Sequence, residues 1–194
     1  MNPNNHLIVF AKQPKIGWVK TRLAKDIGLV NATFWYRKQL LNLLKTLDST
    51  LPCRRHLFVT PDAAARQPTI YTTLGWEVHS QGGGDLGARM KRAFTRVGAG
   101  PRVLIGSDIP EISKQHIRTA FSELRRADAV FGPAKDGGYW LIGLSKYTGL
   151  PHLRKIRWST RFALSDTINH FRNGDKISLL ETLTDVDHGP DLCA

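Results

Sequence analysis

Apolar residues in this chain fall into short continuous runs, separated by longer stretches in which they recur at helical spacing. The first run, Leu7-Ile8-Val9-Phe10, ends in a loop holding Pro14 and Gly17. An unbroken apolar run closed by a turn suits a parallel strand buried on both faces. Between 31 and 47, Phe34, Leu40, Leu41, Leu44 and Leu47 fit one helical face, with Asn31 as the expected N-cap and a crossover helix as the result. Further strands are predicted over 56–60, 76–79, 102–106, 128–132 and 139–144, and a short one over 177–180. Helices are predicted over 85–97, capped by Asp85 with Leu86, Met90, Ala93, Phe94 and Val97 on one side, over 113–126, capped by Ser113, and over 159–171. This alternation predicts an α/β, Rossmann-like architecture, a mostly parallel central sheet with helices on both faces. Ligands of such sheets are expected beyond the carboxyl ends of the strands. No repeat or low-complexity linker interrupts the pattern, so residues 1–194 are read as a single domain.

Composition narrows the class. An apolar share of 41% and a charged share of 23% are those of a soluble folded chain, which removes disordered and collagen-like classes. Cys53 and Cys193 stand far apart and the seven histidines are dispersed without H-E-x-x-H spacing, so neither a disulfide framework nor a zinc site is expected. The apolar run at 7–11 is too short for a signal-peptide core or a membrane span, which makes a cytoplasmic protein with no membrane span the expectation. A net charge of +12 and a pI near 10.1 mean attraction to polyanions: nucleic acid, anionic lipid or a phosphorylated small substrate. The basic residues are scattered, and no zinc-finger spacing or RNP-type motif accompanies them. A nucleic-acid-binding module without catalysis is therefore the lesser alternative.

Four loops carry the candidate chemistry. The first, 11–23, places Lys12, Lys15, Lys20 and Arg22 just past the first strand, with Gly17 allowing backbone N–H groups to approach a ligand. A helix beginning near Val19 would add its positive end. Four cations suit a polyphosphate, although neither a Walker A loop nor a G-x-G-x-x-G fingerprint is present; a solvated basic turn is the alternative. In the second loop, Gln81, Gly84 and Asp85 flank a glycine run that can lie close to a flat or charged ligand. The third delivers Asp108 from a central strand, placed for a metal or for turn chemistry. The fourth joins Asp136, Gly137, Gly138 and Tyr139 to the late Asp185 and Asp187, which in an extended segment point the same way. Asp108, Asp185 and Asp187 make three hard oxygen donors, favouring Mg2+ or Mn2+ over zinc. No Ser-His-Asp or Cys-His nucleophile is visible, and phosphate chemistry needs none.

Five ordered segments, FAKQPKIGWVKTRLA (10–24), QGGGDLGARM (81–90), IGSDIP (105–110), GPAKDGGYWLIGL (132–144) and TDVDHGPDL (184–192), resemble the rSAM/selenodomain-associated transferases, often labelled arsenosugar-type glycosyltransferases. The resemblance covers nearly the whole chain and implies the nucleotide-diphospho-sugar transferase (GT-A) fold. Through Lys20-Thr21-Arg22-Leu23 it extends to phospholactate and molybdenum-cofactor guanylyltransferases. It implies that Lys20 and Arg22 neutralise phosphates as catalytic residues with Asp108, and that Asp108, Asp185 and Asp187 hold the metal. Gly137 and Gly138 would line the pocket of a small acceptor, phosphorylated or not. Trp18, Ala88 and His188 depart from the usual family pattern, and Trp18 and His188 could face the pocket. The strand before Asp108 ends in Ser107-Asp108 rather than in the D-x-D of sugar-transferring GT-A enzymes, which tilts the expected chemistry from glycosyl toward nucleotidyl transfer.

Overall fold

The first apolar run becomes β1 (His6–Lys12), buried as far as Ala11. Because strand side chains alternate between faces, Leu7, Val9 and Ala11 pack to one side, and Ile8 and Phe10 to the other. Two helical layers follow from that split in this computed structural model, which describes residues 4–66 and 74–193. After the short α1 (Leu23–Ile27), α2 (Leu29–Thr46) covers the first side through Tyr36, Leu40, Leu43 and Leu44. On the second side, Met90, Ala93 and Phe94 of α3 (Leu86–Arg96) pack under β1. Ile117, Ala120 and Phe121 return α4 (Lys114–Glu123) to the α2 side, whereas Leu164 and Ile168 of α5 (Ala163–Ile168) join the α3 side.

The remaining strands are β2 (Arg54–Thr60), β3 (Glu77–Ser80), β4 (Arg102–Ile105), β5 (Ala129–Pro133), β6 (Tyr139–Leu144) and β7 (Ile177–Leu179), in the order β3-β2-β1-β4-β6-β5-β7. Only β6 runs against its neighbours; β1 pairs parallel with β2 and β4, β2 with β3, and β5 with β7. Six carboxyl ends therefore share one edge, together with the start of β6. The expected α/β sheet with helices on both faces is what forms. Among the described residues no helix is long and apolar enough to cross a membrane.

Several local expectations change. Asn31 is not an N-cap: α2 begins earlier, at Leu29 after Gly28 (φ 85°), and the Asn31 amide donates back to the Ile27 carbonyl at 2.9 Å. Phe34 is 68% exposed, because Ala32, Thr33 and Tyr36 define the buried stripe instead. No helix starts near Val19; that side chain is a core residue, and α1 begins only at Leu23 and runs five residues. The helix expected over 159–171 shrinks to Ala163–Ile168, leaving 157–162 as an irregular segment over the sheet edge. Asp85 and Ser113 do cap, accepting from Ala88 N–H at 2.8 Å and His116 N–H at 3.5 Å. Cys53 is a free thiol, while the side chain of Cys193 lies outside the described residues.

Candidate active site

The end of β1 is pinned by Tyr36, whose phenol oxygen accepts the Lys12 N–H at 2.9 Å. Beyond it the loop turns at Gly17 (φ 79°), a left-handed conformation that side chains resist, and sends Val19 into the core. Lys20 adopts φ 47°, uncommon for a non-glycine residue and held only where surroundings enforce it. What enforces it is a double ion pair: its side chain is 3% exposed, and Nζ lies 3.0 Å from both Asp108 Oδ2 and Asp187 Oδ1. Burial alone pulls the Lys20 pKa down, but the two carboxylates outweigh it and hold it above the ordinary lysine value. Arg22 reaches Asp187 Oδ2 at 2.9 Å. Burial pushes the Asp187 carboxyl up, and Lys20 and Arg22 more than reverse that, so its pKa is lowered.

Asp108 leaves the central β4 on a polarised chain. Tyr36 Oη is 2.9 Å from Ser107 Oγ, which donates to Asp108 Oδ1 at 3.4 Å. Since Ser107 gives its single proton to Asp108, the Tyr36 hydroxyl is the donor to Ser107, and each donor in the chain aims toward the carboxylate. Opposite, the β5–β6 turn closes with Asp136 Oδ1 accepting the Gly138 N–H at 2.8 Å. Gly137 (φ 85°) is pressed against the 157–162 segment so closely that a Cβ there would lie 2.4 Å from Arg161 Cα. A bridge between Ala134 and Leu183 draws the tail alongside, and Val186 is buried with Leu23 and Ala32. Asp185 and Asp187 flank the buried Val186, Asp185 on the cavity wall and Asp187 on Lys20 and Arg22. The Asp185 carboxyl is pushed above its usual range by burial, then by the negative charges of Asp187 and Asp136.

These pieces enclose a cavity of about 380 Å³ at the carboxyl edge. Of the residues anticipated from sequence, Lys12, Lys20, Gln81, Asp108, Asp136, Gly138, Tyr139 and Asp185 line it. Gln81 is buried, its amide N–H groups donating to Ala11 and Phe58 carbonyls at 3.0 Å, so it ties three strands together at the cavity floor. Arg22 and Asp187 stand behind Lys20 rather than on the wall. Gly17, Gly84, Asp85 and Gly137 are also off the wall: Asp85 caps α3, and Gly84 offers its carbonyl to Arg89 Nε at 2.9 Å. Trp18 is 52% exposed with Lys15 Nζ 4.4 Å from its ring centroid, and the exposed His188 sits by Asp26; neither faces the cavity. Sequence reasoning missed Tyr36, Ser107, Arg89, Trp158 and Thr160 on the wall. Tyr36 and Arg89 sit on helices read only for their packing, Thr160 lies within the helix expected over 159–171, and Trp158 lies just before it.

The three aspartates fit a hard divalent cation by chemistry: oxygen donors only, with negative charge on Asp185 that no neighbouring cation fully offsets. They are not drawn together as a ligand set, because the Lys20 ammonium bridges Asp108 and Asp187. Among the described residues, the set of three potential ligands whose donor atoms all lie within 4.8 Å is instead His56, Glu77 and His79. These lie on the face of β2 and β3 that packs against α3, with Glu77 at the start of β3, His56 beside it, and His79 farther along, opposite Phe58.

Residues 43–160, more than half of the chain, match the family described as "Uncharacterized protein conserved in bacteria (DUF2064)". A solved structure from Desulfovibrio desulfuricans G20 is 32% identical, over 99% of this chain and 85% of that one, with a TM-score of 0.88. The chain belongs to this DUF2064 family. The Desulfovibrio protein is provisionally named a nucleotide-diphospho-sugar transferase. More distant structures share the fold: 4-diphosphocytidyl-2C-methyl-D-erythritol synthase from Anaerococcus prevotii DSM 20548, 12% identical over 98% of this chain and 93% of that one, has a TM-score of 0.65. The inositol-1-phosphate CTP transferase from T. maritima, 15% identical over 98% and 92%, gives 0.61. No curated protein matches the chain. The Rossmann-like sheet of the DUF2064 chain is thus the fold of nucleotidyl- and sugar-transferring enzymes.

Proposed function

We propose that this chain is a divalent-cation-dependent nucleotidyltransferase, taking a nucleoside triphosphate along the β1 loop and a small acceptor against the β5–β6 turn. The observation that carries the reading is Lys20, buried and 3.0 Å from both Asp108 and Asp187 where β1 and β4 end. A lysine so placed can exchange carboxylate for phosphate oxygens without leaving the cavity mouth, and Lys12 lies on the same wall. Asp108, Asp185 and Asp187 would hold Mg2+ or Mn2+, which supplies Lewis-acid neutralisation of the phosphates when bound. In the transfer, an acceptor oxygen bonds to the α-phosphorus while the bond to the β-phosphate's bridging oxygen breaks, releasing pyrophosphate. Lys12 and Lys20 meet the charge that develops on the leaving group, so catalysis rests on positioning and electrostatics. Asp136, Gly138 and Tyr139 form the acceptor side. The finer subgroup, the rSAM/selenodomain-associated transferases, rests on the five motif segments.

Glycosyl transfer is the second reading, favoured by the name of the 32%-identical Desulfovibrio relative; the single Asp108 after β4 favours the first. The products separate them. Incubation with each nucleoside triphosphate, Mg2+ and a panel of phosphorylated acceptors is expected to release pyrophosphate. Release of a nucleoside diphosphate from a nucleotide sugar instead would establish the second reading, and turnover of neither donor class would remove both.

A further inference from the structure

We propose that His56, Glu77 and His79 form a second site, on the face of β2 and β3 that packs against α3, that binds a borderline divalent transition metal such as Zn2+, Ni2+ or Co2+. It is separate from the candidate active site in position and in ligand chemistry. In the parallel register of β2 and β3, His56 stands opposite Glu77 and Phe58 opposite His79. Residues two apart share a face, so the three side chains gather on one side of the two strands. His56 Nδ1 lies 3.2 Å from His79 Nε2 and 3.3 Å from Glu77 Oε2, and the last two atoms are 3.8 Å apart. Tetrahedral coordination with bonds of roughly 2.0–2.1 Å sets neighbouring donor atoms about 3.3–3.4 Å apart. Two imidazoles and one carboxylate, with the Glu77 side open to water, leave a fourth position for solvent.

The tautomer of the buried ligand is dictated from behind. His6 Nε2 is 3.2 Å from the Ala99 carbonyl, which can only accept, so His6 carries its proton on Nε2 and presents a bare Nδ1. That Nδ1 lies 3.0 Å from His56 Nε2, which must then be the donor. His56 Nδ1 is left as a lone pair aimed into the cluster. A ligating imidazole whose other N–H is spent on a fixed acceptor is the usual outer shell of a metal site. One group opposes binding: the exposed Arg96 donates through Nε to His79 Nδ1 at 3.1 Å. That keeps the His79 proton on Nε2, pointing at His56 and Glu77. For a metal to enter, this proton must move to Nδ1 and Arg96 must swing away.

Arg96 gives the test its second direction. Untagged protein, stripped with chelator, is titrated with Zn2+ by calorimetry and with Co2+ by visible absorption. The expected result is about one equivalent bound, with ligand-field bands of a four- or five-coordinate site. Glu77→Gln, an exposed position that leaves the fold intact, and His79→Gln should each weaken binding by at least ~10-fold. Arg96→Gln should tighten it several-fold, and Asp108→Asn should leave it unchanged. No binding by the wild-type protein would overturn the proposal. So would binding that Glu77→Gln and His79→Gln leave intact, since the ion would then sit on other surface groups.

Discussion

At the scale of single residues, Lys20 and Tyr36 decide what the cavity can do. Lys20→Met removes the ammonium that meets Asp108 and Asp187 and lies 5.8 Å from the centroid of the Trp35 ring, while keeping an unbranched apolar stem. We expect nucleotide affinity to fall by at least ~10-fold, as for loss of a charge-assisted contact, with thermal stability changed much less, because both carboxylates retain access to water. Equilibrium binding beside a melting curve checks both parts. Tyr36→Phe breaks the chain from Lys12 through Ser107 to Asp108, taking the acceptor from the Lys12 N–H and the donor from the buried Ser107 hydroxyl. Urea unfolding should register about 1–2 kcal/mol of lost stability. Lys20 and Asp108 were legible in the sequence because charged residues directly after strands fall at the carboxyl edge. Tyr36 was not: its contact partners lie 24 and 71 residues away, and helical periodicity reports only that it is buried.

At the scale of elements, the β5–β6 turn and the 157–162 segment are built against each other. Gly137→Ala would need a Cβ at 2.4 Å from the Arg161 backbone in a left-handed conformation, which should cost about 2–4 kcal/mol and displace the cavity wall formed by the β5–β6 turn. A lowered midpoint in denaturant and, if the proposed function holds, weaker turnover of phosphorylated acceptors would bear this out. Asp166 secures the same segment by accepting from the Arg157 backbone and guanidinium, at 2.7–3.1 Å, and Arg157 holds its pKa down to about 2. A folded-state pKa below the unfolded one means that the stabilisation is present above about pH 4 and fades as the pH falls toward 2. Asp166→Asn should therefore lower the melting temperature at pH 6 and converge on the wild type near pH 2. The expected strands, and the caps at Asp85 and Ser113, were found because each follows from local pattern, whereas the cap expected at Asn31 was not. The error at 159–171 arose because helical spacing there continues into residues that turn outward over the site.

At the scale of the molecule, topology does what no single motif does. The order β3-β2-β1-β4-β6-β5-β7 lays loops from four distant parts of the sequence along one edge, while the same parallel strands collect His6, His56, Glu77 and His79 on one face. The first gathering was anticipated because the carboxyl-edge rule applies to any parallel sheet. The second was not, since histidines 50 and 23 residues apart carry no spacing signal until strand register is known. The net charge of +12 attracts any polyanion, so nucleotide binding must be separated from adsorption. Titration calorimetry of the four nucleoside triphosphates, with and without Mg2+, on the wild-type chain and on Asp108→Asn makes that separation. The account predicts stoichiometric binding of at least one triphosphate with Mg2+, weakened at least ~10-fold by omitting the metal or by Asp108→Asn. Affinity that is the same in all four conditions and falls only with salt, or no binding at all, would contradict it.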